Sequence, residues 1–339
     1  MIAFVTGGTG HVGTALVEVL LKRGYEVHCL VRRTDILTYL KSLNSSKLFF
    51  QFGDLRSPES ILEGMNVAQP DYVFHVAAAV SWWAPWRVFY DINVVGTRNV
   101  VEAIEKITSV KKLVHVSSFA VYGYEDQLNA REDQPYGKLH NKYSKSKIMA
   151  EKYLWEKYDN GKGLPISMLR PPSVFGPHDT ANFREIIRLI KRNRNIVPGK
   201  GDQLVSWAYN YEIADLLIKM AEDDRATGEV FNIKTGDLTT KELILKLMEI
   251  LHVKDKKIRH VPIFLTRLAG LLGSAFGSLF MRKKGPIIHR QIVRMVIHHH
   301  VCNIDKVKNV LGWVPSISLD DALKETVDWF IKTGIYDTL

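Results

Sequence analysis

The chain reads as an α/β protein: a doubly wound parallel sheet with a smaller C-terminal lobe. Three observations predict this. Short apolar runs of strand length alternate with stretches of helical periodicity through the first half. A glycine-rich turn joins the first such strand to the first such helix. After about Arg170 the alternation gives way to turn-rich, irregular segments. The expected division is therefore a first unit over 1–170, with some later segments returning to it, and a lobe over 171–339.

Residues 2–6, 26–31, 47–52, 72–76, 113–117 and 166–170 read as buried strands. Helical periodicity at 12–23, 90–107 and 144–158 supplies the connections, which should cross over right-handed. Beyond Arg170, helices are expected at 183–191, 210–222, 241–251 and 319–333, with a strand at 229–233.

The composition is that of an ordinary globular chain: 339 residues, 46% hydrophobic and 24% charged. Two distant cysteines, Cys29 and Cys302, give no disulfide framework and fit a reducing, cytoplasmic setting. The N-terminus runs straight into strand and turn and does not read as a signal peptide. The net charge of +10 is spread mostly over polar helix faces. With no zinc-finger spacing or aromatic RNA-binding motif, a nucleic-acid partner is not expected.

The turn is Val5-Thr6-Gly7-Gly8-Thr9-Gly10-His11-Val12-Gly13. Glycines three apart between a strand and a helix allow a tight turn and close approach to a pyrophosphate, at a helix end that offers free N–H groups. A dinucleotide is therefore expected around Gly7, Thr9, Gly10, His11, Val12 and Gly13. The end of the second strand selects which one. An acidic residue there would bond a ribose 2′-hydroxyl, but the chain has Val31, then Arg32 and Arg33. Guanidinium groups suit a 2′-phosphate, so NADP(H) is expected over NAD, a solvated strand end being the alternative reading. Asp54, followed by Leu55, is placed either to accept from the adenine amino group or to cap the next helix. Ala77, Ala78 and Ala79 let the fourth strand's end lie close to the cofactor.

Tyr143 and Lys147 stand four apart on one helix face. An ammonium beside a phenol lowers the phenol's pKa and fits it for acid–base work on a carbonyl oxygen. Ser118 follows an apolar strand at the edge where open α/β sheets bind ligands, and would hydrogen-bond that oxygen.

TGGTGHVG, HVAAA, VSSFAVYG, YSKSK and LRPPSVFGP occur in this order, with Leu311-Gly312-Trp313-Val314-Pro315 near the end. Over nearly its whole length the chain resembles the extended short-chain dehydrogenases/reductases, built on a Rossmann fold. The resemblance implies a catalytic set of Ser118, Tyr143 and Lys147, a nicotinamide contact at Pro171 and Val174, and a homodimer through the helices 90–107 and 144–158. Within the superfamily the chain is most similar to dihydroflavonol-reductase-like and 3β-hydroxysteroid-dehydrogenase-like members. The sugar-nucleotide enzymes usually carry an arginine after a segment like Gly199-Lys200-Gly201-Asp202, where this chain has Gln203-Leu204-Val205. They often carry an asparagine where Ser173 stands.

A hydrophobic small-molecule ketone or alcohol (steroid-, flavonoid- or oxo-acyl-like) is thus the expected substrate. Trp82, Trp83 and Ser173 are the candidate contacts, with packing under the next helix as the alternative for the tryptophans. A nucleotide-sugar epimerase/dehydratase and a non-catalytic NADP sensor are the competing functions. The segment 261–281 holds a single charge, Arg267, and precedes Arg282-Lys283-Lys284. It reads as a buried or substrate-capping helix, or as a peripheral membrane contact through 261–284, rather than a span. Adjacent His298, His299 and His300 alternate faces in a strand, so no metal site is expected.

Overall fold

The structure is a computed structural model that describes all residues except 82, 139–140, 181, 255–256 and 281–287. Seven strands form its central sheet: β1 (Ile2–Thr6), β2 (Glu26–Val31), β3 (Leu48–Phe52), β4 (Tyr72–His75), β5 (Lys112–Val116), β6 (Ile166–Arg170) and β7 (Glu229–Asn232). They pair in parallel in the order β7-β6-β5-β4-β1-β2-β3. The inner strands are covered on both faces, which is why they read as unbroken apolar runs. Phe4 sits level with His28 on one side and Val73 on the other.

Helices cover both faces. α1 (His11–Lys22) lies on one, α2 (Pro58–Ala68) and α3 (Gly96–Ile104) on the other, and α4 (Lys142–Tyr158) follows β5 in the chain. Ser57 caps α2 by accepting from the Ser60 amide, and Pro58 occupies its first turn. One core gathers Leu16, Leu20 and Cys29 with Leu217; the other gathers Phe4, Ile61, Met65 and Val100.

Two later segments return to the first unit. The strand at 229–233 becomes β7, the edge of the central sheet, with Val230 level with Met168. α5 (Asn210–Glu222) likewise packs its buried Ile213, Leu216 and Leu217 into the core beside α1. The expected helix 90–107 is also not uniform. A short helix Trp86–Phe89 runs through a wide π turn, Tyr90–Val95, into α3. The Thr97 hydroxyl donates to the Asn93 carbonyl at 2.8 Å within this irregular stretch.

After β6 the chain leaves the central sheet. Ser173–Phe175 pairs with Leu204–Tyr209, which also pairs with Gly236–Thr239 and His300–Cys302. A third core of Phe175, Phe183, Leu247, Leu323 and Phe330 sits behind this second sheet. In the central sheet, β1 neighbours both β2 and β4, so the strand order reverses between β1 and β4. Open α/β sheets bind ligands outside the carboxyl ends at such a point.

Candidate active site

The glycine turn emerges from β1 at this switch point. Gly7 has φ +77°, and a Cβ there would lie 2.7 Å from the Ala77 backbone. A Cβ on Gly13 would lie 1.9 Å from the Gly7 carbonyl oxygen. Both positions therefore exclude any side chain, and the ends of β1 and β4 are drawn together. Gly10 is the N-cap of α1 and has no side chain to satisfy the first N–H groups. These donors, with the positive end of the helix dipole, fit a pyrophosphate. Thr9, His11 and Val12 are half-buried around them. His11 Nδ1 is 4.0 Å from Asp179, and burial lowers its pKa.

At the end of β2, Val31 is buried. Arg32 pairs with Asp35, Nη2 to Oδ1 at 2.7 Å, and the Arg33 guanidinium lies over the Phe52 ring at 5.5 Å. The Arg32 charge also acts on Asp54. That carboxylate is held at a pKa of about 2, chiefly by its hydrogen bonds from the Arg56 side chain at 2.8 and 2.7 Å. Asp54 does not cap α2, a role Ser57 takes. Leu55 is buried, and its carbonyl accepts from Asn99 at 2.7 Å.

Ala77, Ala78 and Ala79 run half-buried from β4. Asn93, in the π turn, clamps this run: its Oδ1 accepts from the Ala79 amide at 2.7 Å, and its Nδ2 donates to the Ala79 carbonyl at 3.1 Å and to Ser146 at 2.9 Å. One side chain thus ties the segment after β4 to the helix that carries Tyr143 and Lys147. The sequence reading missed Asn93. The signal was present as an amide mid-helix, three residues before Gly96.

Ser118 ends the segment after β5 and accepts from the Ala120 amide at 3.2 Å. It lies near enough to Tyr143 to pull the phenol's pKa down, and Tyr143 sits at the start of α4 with Phe89 edge-on at 6.3 Å. Asn141 caps α4, accepting from the Ser144 amide at 2.7 Å. Lys147 lies one turn on, buried, and donates from Nζ to the Val116 carbonyl at 2.8 Å. The structure therefore gathers Ser118, Tyr143 and Lys147 at the carboxyl edge of β5.

The electrostatics differ from expectation. Burial raises the Tyr143 pKa, with Ser118 pulling the other way, and Lys147 is not among the influences on it. The ammonium is committed to Val116 instead. Burial also pushes Lys147 down to about 8, against a raising influence from Glu151. Two neutral histidines share its surroundings. Burial, then the Lys147 charge, lowers His75 to about 3 and His115 well below its ordinary value. Thr97 donates to the Asn93 carbonyl, so His75 Nε2–H donates to Thr97 at 3.0 Å, and its Nδ1 accepts from Thr6 at 2.8 Å.

Behind the triad lies a buried ion pair that sequence reasoning also missed. Glu151 and Arg170 are joined by two bonds, 3.0 and 2.7 Å. Ser117 donates a short hydrogen bond to the same carboxylate, and Tyr136 donates at 2.9 Å. Arg170 donates onward to the Tyr122 hydroxyl at 2.9 Å, which donates to Asn232 at 2.8 Å. The network backs Ser118 through its neighbour Ser117, and Pro171 through Arg170. Pro171 itself accepts from the Phe119 amide at 2.8 Å, and Val174 enters the second sheet level with Ala208.

Of the substrate candidates, Ser173 is half-buried opposite Trp207. The Trp83 ring lies 5.8 Å from that of His289, in the C-terminal part of the chain. Trp82 lies outside the described residues.

Comparison with known proteins agrees with this layout. Residues 3–233 match the model of the NAD dependent epimerase/dehydratase family. The chain is 28% identical to a sterol-4-alpha-carboxylate 3-dehydrogenase (ERG26, decarboxylating) of Candida albicans, over 96% of each chain. It is also 28% identical to a 4-hydroxy-2-methyl-3-oxo-4-farnesyl-3,4-dihydroquinoline-1-oxide ketoreductase of Stigmatella aurantiaca, over 95% of each. Among solved structures, the Bordetella bronchiseptica enzyme WbmH in complex with NAD+ superposes with a TM-score of 0.77 at 20% identity, covering 98% of this chain and 99% of that one. The last likeness is one of fold. The family match spans most of the chain, including the glycine turn, the end of β4, Ser118 and the Tyr143–Lys147 pair, and on it the chain belongs to the NAD-dependent epimerase/dehydratase family of extended short-chain dehydrogenases/reductases.

Proposed function

We propose that the protein is an NADP(H)-dependent oxidoreductase that interconverts a ketone and a secondary alcohol on a hydrophobic small molecule. Its broad class, an oxidoreductase acting on CH–OH groups, follows from its family and from relatives named as sterol dehydrogenases and a ketoreductase. The observation that carries the finer reading is the gathering of Ser118, Tyr143 and a buried Lys147 at the carboxyl edge of β5, where the glycine turn also opens.

The chemistry follows from the groups present. Nicotinamide, when bound, supplies hydride to the carbonyl carbon or takes it back. In the reducing direction the Tyr143 phenol gives its proton to the carbonyl oxygen, and Ser118 donates a hydrogen bond to the same oxygen. Its raised pKa keeps Tyr143 protonated at neutral pH, as a proton donor must be. The Lys147 ammonium rests on the Val116 carbonyl, and on this reading it turns from it toward Tyr143 during the reaction to supply the positive charge that a tyrosinate needs.

That requirement sets a pH limb. Lys147 is charged below about 8 and neutral above it. The kcat/KM for ketone reduction is therefore expected to fall as pH rises through about 8. In Lys147→Arg, whose guanidinium stays charged, the limb should disappear even if the overall rate is lower. A pH–rate series on both proteins checks this, and an unmoved limb in Lys147→Arg would assign it to another group.

For the cofactor, Arg33 and Arg32 favour the 2′-phosphate. The Arg32–Asp35 pair is exposed and cheap to rearrange. Arg33→Glu is expected to reduce the preference for NADPH over NADH by about 10–100-fold, the worth of one or two charge-assisted bonds. Initial rates with both cofactors give that ratio. The same assay, run with steroid, flavonoid and oxo-acyl ketones, tests the function. Thermal stabilisation by UDP- or dTDP-sugars, with NAD retained through purification, would favour the epimerase reading instead.

A further inference from the structure

α6 (Ile263–Phe280) is an apolar helix turned inside out. Gly270, Gly273 and Ser274 face inward, against α7 (Arg290–Ile297) and the residues just before it. A Cβ on Gly270 would meet Val293 at 2.6 Å, and one on Gly273 would meet the Ile288 carbonyl oxygen at 1.9 Å. Ser274 donates to the Gly270 carbonyl at 2.8 Å and accepts from the Arg290 amide at 2.9 Å. The large residues point the other way. Phe264, Leu265, Leu268, Leu271 and Leu272 are 68%, 42%, 49%, 52% and 63% exposed. At 3.6 residues per turn these five fall within an arc of about 120°, a single face along a helix about 27 Å long.

The charge around this face is as one-sided as its polarity. From residue 256 to residue 304 the sequence has no Asp or Glu, and nine Lys or Arg. That stretch accounts for nearly all of the chain's net charge of +10. Arg259, Arg267 and Arg290 are exposed within it. A second copy of the chain, packed about a two-fold axis, would set this cationic stretch against itself. A nucleic acid would leave five large apolar side chains in water. An anionic bilayer satisfies both features, since it accepts the apolar face below its headgroups and pairs the cations at them.

We propose that α6 is a docking face for an anionic lipid surface, on which the helix lies in the plane of the headgroups. No helix among the described residues is long and apolar enough to cross a membrane. His289, just ahead of α7, packs against Trp83 in the segment that follows β4. The lipid-facing helix pair thus adjoins the substrate side of the site. Delivery of a lipophilic substrate from the bilayer is the corollary, and only that corollary rests on the function proposed above.

Flotation of the full chain with vesicles tests the docking. Vesicles of phosphatidylcholine with a minor fraction of phosphatidylglycerol should carry at least about tenfold more protein than phosphatidylcholine alone, and molar salt should reverse much of the difference. Leu268→Asp/Leu272→Asp should bind the anionic vesicles at least about tenfold less, with NADPH stabilising it thermally as it does the unaltered protein. Arg259→Glu/Arg267→Glu, which leaves the apolar face intact, should also bind less. No flotation of the unaltered protein, or flotation of both variants equal to that of the unaltered protein, overturns the proposal. So does a dimer that Leu268→Asp/Leu272→Asp converts to monomer without any vesicle binding. None of these measurements reads turnover, so a failed redox assignment and a failed docking assignment give different results.

Discussion

Tyr143→Phe should lower kcat for ketone reduction by about a thousandfold or more, the range expected when a positioned proton donor is lost. The change removes one hydroxyl and little else. The ring keeps its edge contact with Phe89, and α4 keeps its Asn141 cap. Lys147 is anchored by Val116 rather than by the phenol, so it stays in place. Ser118 keeps its bond from the Ala120 amide and loses the neighbouring Tyr143 hydroxyl. On the proposed function the glycine turn and the end of β2 carry NADPH, so its affinity should stay within about twofold, which corresponds to under half a kcal/mol. Single-turnover kinetics and an NADPH titration of the variant separate the two effects. Activity within about tenfold of the unaltered enzyme would remove Tyr143 from the proton-transfer role.

How much of this site was legible in the sequence depends on how local each part is. β1, β2 and β6 were placed correctly because five- or six-residue strands buried on both faces leave continuous apolar runs. Gly7 and Gly13 were legible because a turn between strand and helix leaves few residue choices. β7 was located without its sheet being specified. Its parallel partner β6 lies some sixty residues upstream, and an apolar run does not say which sheet it joins. The three-residue strands Ser173–Phe175 and His300–Cys302 are too short to show a period.

Side-chain partnerships were harder still. Tyr143 and Lys147 share a helix face, and that spacing was readable. That Lys147 turns to the Val116 carbonyl, and that burial then governs the Tyr143 pKa, depends on how β5 packs on α4. In α6 the apolar composition was plain. The composition read equally as a buried or substrate-capping helix; that Phe264, Leu268 and Leu272 are exposed follows from Gly270 and Gly273 packing beside α7 instead. Glu151 also carried a trace. It lies one turn beyond Lys147, in the series Tyr143, Lys147, Glu151, but its partner Arg170 sits at the end of another element.

That ion pair gives the largest expected loss of stability. Glu151 is fully buried and Arg170 is 3% exposed. Burial works against the Arg170 charge, and the carboxylate more than offsets it, raising the pKa. Removing one partner leaves a guanidinium without a counter-charge in a site that excludes water. Glu151→Ala should therefore cost about 3–5 kcal/mol, a fall in Tm on the order of 5–10 °C. The loss should be non-additive. Once Glu151 is gone, Arg170→Met removes the stranded charge, so Glu151→Ala/Arg170→Met should be less destabilised than the sum of the two single changes. Denaturant melts of the three variants measure that coupling, and simple additivity would mean that the pair contributes little as a pair.

Stability alone would leave Glu151 a structural residue. Its influence on Lys147 makes a separate test possible. Glu151 raises the Lys147 pKa against the burial that lowers it to about 8. Replacing the carboxylate by the neutral amide in Glu151→Gln keeps the shape of the site and removes that support. Lys147 should then lose its proton more readily, and the falling limb of kcat/KM should move below pH 8. A limb that stays in place while the melting temperature drops would confine Glu151 to holding Ser117 and Arg170. A limb that moves would make it a positioning residue acting through the charge of Lys147, one helical turn from the reacting phenol.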